Sequence, residues 1–237
     1  IAKFIMENKI NLPYDLISKT IDSTFNSKQV IILKESSISQ SNSSSNYLSH
    51  LNQLFFDKNN LEKFSTKINI GYSALHGTGY NPISKLFDNL KIKNVQYVKQ
   101  MIFPNPLFPM FNSKQILDPS DEETASIVTN EFINQYGYDD FCKLDILAYT
   151  DPDADRLGII VKTLPDEEII YGKWRVLHAN DIWLLLLWYI LEIISKINLQ
   201  FSEHENFFIV KSFVTSDSLL YLAKKYNLEC INGKVGF

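Results

Sequence analysis

The residues that invite chemistry are three aspartates in strict alternation. Asp151, Asp153 and Asp155 are separated by Pro152 and Ala154 and followed at once by Arg156. They come directly after Asp145 to Tyr149, a short apolar run of strand type. In an extended or tightly curved loop, side chains at i, i+2 and i+4 can converge on one point. Carboxylates held that close repel one another, so either some take up protons or a cation sits between them. Oxygen donors suit a hard dication, Mg2+ or Ca2+, and not a soft metal. Mg2+ keeps open positions for water and for a substrate phosphate. The planar donors of Arg156 also match phosphate. The local chemistry is metal and phosphate handling.

Competing patterns fit less well. A merely solvated acidic loop has no need of strict alternation behind a buried strand. An EF-hand loop opens with the same alternating acids but requires Gly at its sixth position and Glu at its twelfth. Those positions hold Arg156 and Lys162. A phosphatase of the haloacid-dehalogenase type places two alternating aspartates after a strand, normally followed by a small Thr or Val and a Gly, and near a chain start. Arg156 and the mid-chain position count against it.

The elements that must position this loop follow from periodicity. Lys67 to Tyr72 alternates apolar and polar, a strand signal, and leads into the loop His76-Gly77-Thr78-Gly79. Pro82 opens a helical run with Ile83, Leu86, Phe87 and Leu90 on one face. Val95 to Val98 reads as a strand, and the prolines between Met101 and Asp118 make that stretch irregular. Asp118 is a plausible N-cap with Pro119 after it and Asp121, Glu122 and Glu123 in the first turn, where acids favour the helix dipole. Gly137 is a natural stop. Leu157 to Val161 is a strand, Pro165 to Glu168 a turn, and Asn180 a cap for a helix from Asp181 that is buried on all sides. Phe207 to Lys211 reads as a strand and Ser216 to Tyr226 as an amphipathic helix. Strands alternating with helices imply an α/β fold with a largely parallel sheet. Upstream, Leu12 to Phe25 has partly helical spacing, Glu35 to Asn46 is a polar Ser/Asn-rich stretch that reads as a disordered loop or insertion, and Tyr47 to Leu54 reads as a short helix.

Composition bounds the classes. The 237 residues carry a net charge of −4 and are 45% hydrophobic, ordinary for a folded soluble protein with one or two domains. A pI near 5.6 argues against a general binder of nucleic acid or of acidic membrane. Cys142 and Cys230 stand in no metal or redox spacing, which fits a reducing compartment such as the cytoplasm. Ile1 to Lys9 has no targeting pattern. The apolar run Ile182 to Leu191 is shorter than the roughly 20 residues of a bilayer span. The chain opens at Ile1 without a Met and ends on Phe237, and so reads as part of something longer.

Thr150 to Gly158 resembles the metal-binding loop of the α-D-phosphohexomutases, the family of phosphoglucomutase and phosphomannomutase. Four further matches follow in family order. Ser73 to Gly79 resembles the Leu-His-Gly-x-Gly loop of the second domain. Phe103 to Glu123 resembles its proline-rich segment with an acidic helix start. Trp174 to Leu187 resembles the passage into the third domain, and Lys211 to Phe237 the stretch ending in the substrate loop Val-Gly-Phe-Lys. The Trp-Arg-Val piece is most similar to the eukaryotic phosphoglucomutase-2/phosphopentomutase branch.

The resemblance implies three-layer αβα domains with a mixed, largely parallel sheet, as in domains II and III of that family. It implies a remnant of domain I with a linker helix and the Ser/Asn-rich loop over 1–46, domain II with the metal loop over 47–172, and the N-terminal part of domain III over 173–237. The activity it implies is movement of a phosphoryl group between C1 and C6 of a hexose or C1 and C5 of a pentose, through an enzyme phosphoserine and a sugar bisphosphate. On that pattern Asp151, Asp153 and Asp155 are Mg2+ ligands and Arg156 lies at the transferring phosphate. Gly236 and Phe237 contact the sugar. His76 reads as a hydrogen-bonded scaffold residue, and Gly77 and Gly79 as glycines that permit a tight turn. The family's Thr-Ala-Ser-His-Asn-Pro phosphoserine motif is absent, and the first residues resemble the segment just after it. The sugar-recognition loop containing Glu and the C-terminal phosphate-binding domain are absent too. The expected partners are sugar phosphates, with no nucleic acid and no membrane, and the chain alone is expected to be inactive. The alternative is a non-catalytic module that binds Mg2+ or sugar phosphate.

Overall fold

The computed structural model describes residues 61, 63–112, 117–196 and 208–234, all within one compact unit, Asn52–Phe237. The expected helices over 12–25 and 47–54, the polar stretch 35–46, and Gly236 and Phe237 lie outside the described residues.

Strand β1 (Ile70–Ser73) is buried along its whole length. Helix α1 (Tyr80–Asn89) carries the chain from β1 to strand β2 (Val95–Tyr97), which pairs with β1 in parallel. Helices α2 (Glu122–Tyr136) and α3 (Tyr138–Lys143) then lead to strand β3 (Ile146–Thr150), parallel to β1 on its other side. A hairpin turns β3 into antiparallel β4 (Leu157–Lys162). The short helix α4 (Glu168–Tyr171) leads on to antiparallel β5 (Trp174–Val176). The sheet order is β2-β1-β3-β4-β5. Helix α5 (Ala179–Lys196) precedes a second unit of parallel pairing, β6 (Phe208–Ser212), α6 (Ser218–Lys225) and β7 (Glu229–Gly233). The result is a mixed, mostly parallel α/β architecture.

Neighbouring residues of β1 show how the sheet is covered. A Cβ at Gly71 would meet the side chains of Leu147, Leu144 and Phe132, on the side that α2 covers. Tyr72 points the other way and meets Phe87 of α1 edge-on, with ring centroids 6.4 Å apart. Successive residues of a strand face opposite sides, so α1 and α2 lie on opposite faces. Right-handed crossovers to opposite sides of β1 require the same arrangement. The main core gathers Ala125, Val128 and Phe132 of α2, at helical spacing, with Phe141, Leu144, Leu147, Tyr149 and Ile160.

Several local expectations are corrected. Helix α2 is capped by Asp121, whose side chain accepts the Glu123 N–H, and not by Asp118. The helix starts later because the Asp118 carboxylate is spent on a turn of its own, accepting from the Ser120 N–H and hydroxyl. Gly137 does end α2, at φ 89°, with its N–H on the Ile133 carbonyl. Asn180 lies inside α5 and accepts the Ser216 N–H from the segment before α6, so it is no cap. Helix α5 is not buried on all sides. Leu191 and Ile193 are buried, whereas Trp183, Leu185 and Trp188 are exposed. The turn at 165–168 continues into α4. No helix among the described residues is long and apolar enough to cross a membrane.

Candidate functional site

Because β1 and β3 are adjacent and parallel, the loops that follow them emerge side by side at the carboxyl edge of the sheet. Open α/β sheets bind ligands at that edge. The first loop is Ala74 to Gly79 and the second is Asp151 to Arg156.

The second loop is closed by its own backbone. The Ala154 N–H donates to the Asp151 carbonyl at 3.0 Å, and the Asp151 N–H to the Arg156 carbonyl at 3.3 Å. Ala154 stands at φ 61°, a left-handed conformation that turns the chain back on itself. The turn brings Asp151, Asp153 and Asp155 together: one carboxylate oxygen from each lies within 4.8 Å of the others. Asp151 is 1% exposed, while Asp153 and Asp155 face solvent.

The two loops are fastened to each other. The Thr78 N–H donates to the Pro152 carbonyl at 2.8 Å and the Thr78 hydroxyl to the same oxygen at 3.2 Å. The Tyr72 and Thr150 hydroxyls, 2.8 Å apart and buried, form a second bond one residue before Asp151. Gly77 and Gly79 permit this approach. A Cβ at Gly77 would lie 2.2 Å from the Pro152 backbone, and one at Gly79 would lie 2.5 Å from both hydroxyls. Neither glycine has positive φ; Leu75 and His76 make the turn, at 44° and 61°. The glycines thus serve close packing against the acidic loop and not the turn itself.

His76 is 3% exposed, edge-on to Phe108, and neither ring nitrogen makes a well-aligned hydrogen bond. Burial lowers its pKa, with the nearby Phe103 carbonyl opposing in part. Its backbone does the holding, with N–H on the Met101 carbonyl and C=O accepting from Asn105.

Arg156 braces the site from within. Its backbone N–H and its Nε donate to the two oxygens of Asp151 at 3.0 and 2.7 Å. One terminal nitrogen donates to Asp118 at 3.0 Å and the other to the Leu117 carbonyl at 3.4 Å. Burial by itself would raise the Asp151 pKa, but the N–H and guanidinium of Arg156 outweigh it and hold the carboxyl below its ordinary value. Asp155 is raised, first by its hydrogen bond to Asp151 and then by the charge of Asp153. Three carboxylates thus face one guanidinium that is shared with Asp118, in an all-oxygen donor set. That set fits a hard divalent cation such as Mg2+ or Ca2+.

Sequence reasoning brought the three aspartates and Arg156 to one place. It missed Asp118, read as a helix cap. It also missed the pairing of Thr78 with Pro152, which depends on β1 and β3 being neighbours.

Comparison with known proteins gives consistent findings. Residues 45–164, just over half the chain, match the family model described as phosphoglucomutase/phosphomannomutase, alpha/beta/alpha domain II. The Haemophilus influenzae protein named "Probable phosphomannomutase" is 29% identical over 170 residues, covering 72% of this chain and 30% of that protein. Human phosphopentomutase is 26% identical over 172 residues, covering 73% of this chain and 26% of that protein. A solved phosphoglucomutase/phosphomannomutase family protein from Burkholderia thailandensis matches with a TM-score of 0.48 at 15% identity, over 75% of this chain and 33% of that one. The chain thus spans less than a third of the length of the curated relatives it matches.

Proposed function

The chain belongs to the phosphoglucomutase/phosphomannomutase family, and from that membership we propose that it is part of a phosphosugar mutase, an intramolecular phosphotransferase, and supplies the metal-holding domain. The substrates are sugar phosphates, a hexose phosphate exchanged between C1 and C6 or a pentose phosphate between C1 and C5. The exchange runs through an enzyme phosphoserine and a sugar bisphosphate. Domain II covers 47–172 and the start of domain III covers 173–237.

The observation that carries the reading is the convergence of Asp151, Asp153 and Asp155 at the carboxyl edge of the sheet, within 4.8 Å. These three residues would hold Mg2+, whose chemistry there is to neutralise charge on a phosphoryl group in transit. The protein's own contribution is preorganisation. Thr78 and the Tyr72–Thr150 pair fix the start of the acidic loop, and Arg156 fixes the orientation of Asp151. Fixed donors and acceptors need no reorganisation when charge moves, which is how positioning lowers a phosphoryl-transfer barrier. The terminal nitrogens of Arg156 keep N–H groups beyond those bonded to Asp118 and Leu117, and these are offered to a phosphate oxygen. The 237 residues hold no Thr-Ala-Ser-His-Asn-Pro run. We therefore expect the exchanging serine not to be supplied by this chain, and the chain alone not to turn over.

The test is direct titration with Mn2+ as a spectroscopic stand-in for Mg2+, followed by mutase assays on hexose and pentose 1-phosphates. Saturable binding that competes with Mg2+ and disappears in Asp151→Asn is the expected result. Binding that survives replacement of all three aspartates by Ala would sink the reading. Turnover by the chain well above that triple variant would overturn the expectation of inactivity.

A further inference from the structure

We propose that Asp118 is a positioning residue for the acidic loop: it holds the far end of the Arg156 guanidinium away from Asp155, so that Arg156 engages Asp151 alone and the Asp155 carboxylate stays open to a cation beside Asp153. The inference rests on reading that trio as a divalent-ion site and adds to it a residue from a different part of the chain.

The geometry has three links. Arg156 reaches Asp118 through one terminal nitrogen at 3.0 Å and is steadied by the Leu117 carbonyl at 3.4 Å. Asp118 is itself held, its Oδ1 accepting from the Ser120 N–H at 2.9 Å and the Ser120 hydroxyl at 2.7 Å. The next residue is anchored to the sheet, because the Tyr149 hydroxyl, fully buried, donates to the Pro119 carbonyl at 2.8 Å. Gly158 lets that anchor close, since a Cβ there would lie 2.3 Å from the Tyr149 ring and 2.6 Å from the Pro119 carbonyl oxygen. Segment 117–120 is therefore a fixed bracket, and Asp118 is its hand on Arg156.

The consequence follows from what else Arg156 can reach. Its Nε is 3.7 Å from Asp155 Oδ1, and its side chain is about half exposed. With Asp118 in place, the guanidinium is shared between the bracket and Asp151. Without Asp118, the acids left within 4.0 Å of the guanidinium among the described residues are Asp151 and Asp155. An arginine bridging Asp151 and Asp155 occupies the oxygens a metal ion needs. Asp118 therefore acts through competition: it keeps the terminal nitrogens of Arg156 off Asp155. Partners of this kind, once removed from metal sites, typically change affinity by about 10–100-fold.

The experiment is Mn2+ binding, followed by electron paramagnetic resonance on the full chain, for the wild type, Asp118→Asn, Asp118→Ala, Arg156→Ala and the Asp118→Ala/Arg156→Ala pair. Asp118→Ala is expected to weaken binding by about tenfold. Asp118→Asn, which keeps an acceptor, is expected to retain most of the affinity. In the Arg156→Ala background the Asp118 change should have less than about a twofold effect, because the residue has lost the group it acts through. A metal-free readout accompanies this: the Arg156 Nε–H nuclear magnetic resonance signal should change position and exchange faster in Asp118→Ala. An equal loss in both backgrounds, or no loss with an unchanged Nε–H signal, overturns the proposal. If Arg156→Ala does not fold, the Nε–H signal together with the Asn rescue decides. A wild type that binds no Mn2+, or an Asp151→Asn variant that binds as well as wild type, would instead remove the ion-site reading, and this inference with it.

Discussion

Gly77 lies so close to Pro152 that a Cβ on the glycine would sit 2.2 Å from both the Cα and the carbonyl oxygen of the proline. That carbonyl also receives both donors of Thr78. The loop after β1 and the acidic loop after β3 are therefore shaped as one surface. The position of the aspartates depends on a glycine some 75 residues away in sequence.

Gly77→Ala should accordingly disturb the site more than its size suggests. The obstacle is backbone, which cannot swing aside as a side chain would, so the acidic loop must shift. We expect a loss of about 1–3 kcal/mol, the usual cost of forced overpacking, and weaker Mn2+ binding in the same variant. Gly137→Ala is the control, since nothing lies within 4 Å of its added Cβ and only the positive φ opposes it. Urea denaturation and Mn2+ titration of both variants check this. Unchanged Mn2+ affinity in Gly77→Ala would mean that the two loops are not mechanically linked.

The three carboxylates should separate by burial. Asp151 is enclosed and bonded twice to Arg156, so Asp151→Ala removes charge-assisted hydrogen bonds as well as a ligand. We expect it to lower metal-free stability by roughly 1.5–3 kcal/mol. Asp153 is exposed and contributes like charge to its neighbours, so Asp153→Asn should leave the metal-free midpoint unchanged or raise it. Both variants should lose the rise in thermal midpoint that Mg2+ gives the wild type, since only binding to the folded state produces that rise. Thermal melts with and without Mg2+ distinguish the cases. Equal metal-free stability in the two variants would contradict the role given to the Asp151–Arg156 pair.

The acidic loop was legible because its signal is local: spacing, residue type and a strand just before it are all visible in the twelve consecutive residues from Asp145 to Arg156. The strands flanking it were legible for the same reason. What the sequence could not show is which strands become neighbours, and the partnership of Thr78 with Pro152 exists only because β1 lies beside β3. The exposed side of α5 was misjudged because an all-apolar helix looks the same whether or not something covers it. Asp118 was misassigned because an acid before Pro satisfies the rules for a helix cap, whereas its actual partner, Arg156, lies 38 residues further on.

That reassignment can be checked by stability and metal affinity together. Asp121 caps α2 through the Glu123 N–H, so Asp121→Ala should cost about 1 kcal/mol, the typical value of a lost N-cap. It should leave Mn2+ affinity within about twofold, because its bond is to the helix and not to the loop. Asp118→Ala should show the reverse pattern, with a small change in stability and a large one in affinity. Chemical denaturation paired with metal titration of both variants makes the comparison. If Asp121→Ala left stability intact while Asp118→Ala lowered it by a capping increment, the helix would begin where the sequence first suggested.

Tyr149 offers a test at alkaline pH. Burial, and then the charges of Asp121 and Asp118, push its pKa up from the usual 10.0. Tyr97 is raised to about 12, again chiefly by burial. A group that holds its proton more tightly when folded gives stability that is complete below its unfolded pKa and is lost as pH rises towards the folded one. The window therefore opens near pH 10, and each such tyrosine should remove about 1.4 kcal/mol per pH unit above it. Tyr149→Phe cannot ionise, so its stability should fall less steeply above pH 10 than that of the wild type. At neutral pH the same variant should be weaker by roughly 1–3 kcal/mol, because the Pro119 carbonyl loses its buried donor. Urea midpoints at neutral and alkaline pH, with phenolate absorbance recorded alongside, measure both effects. Identical alkaline slopes in the two proteins would show that the Tyr149 proton is not held by the fold.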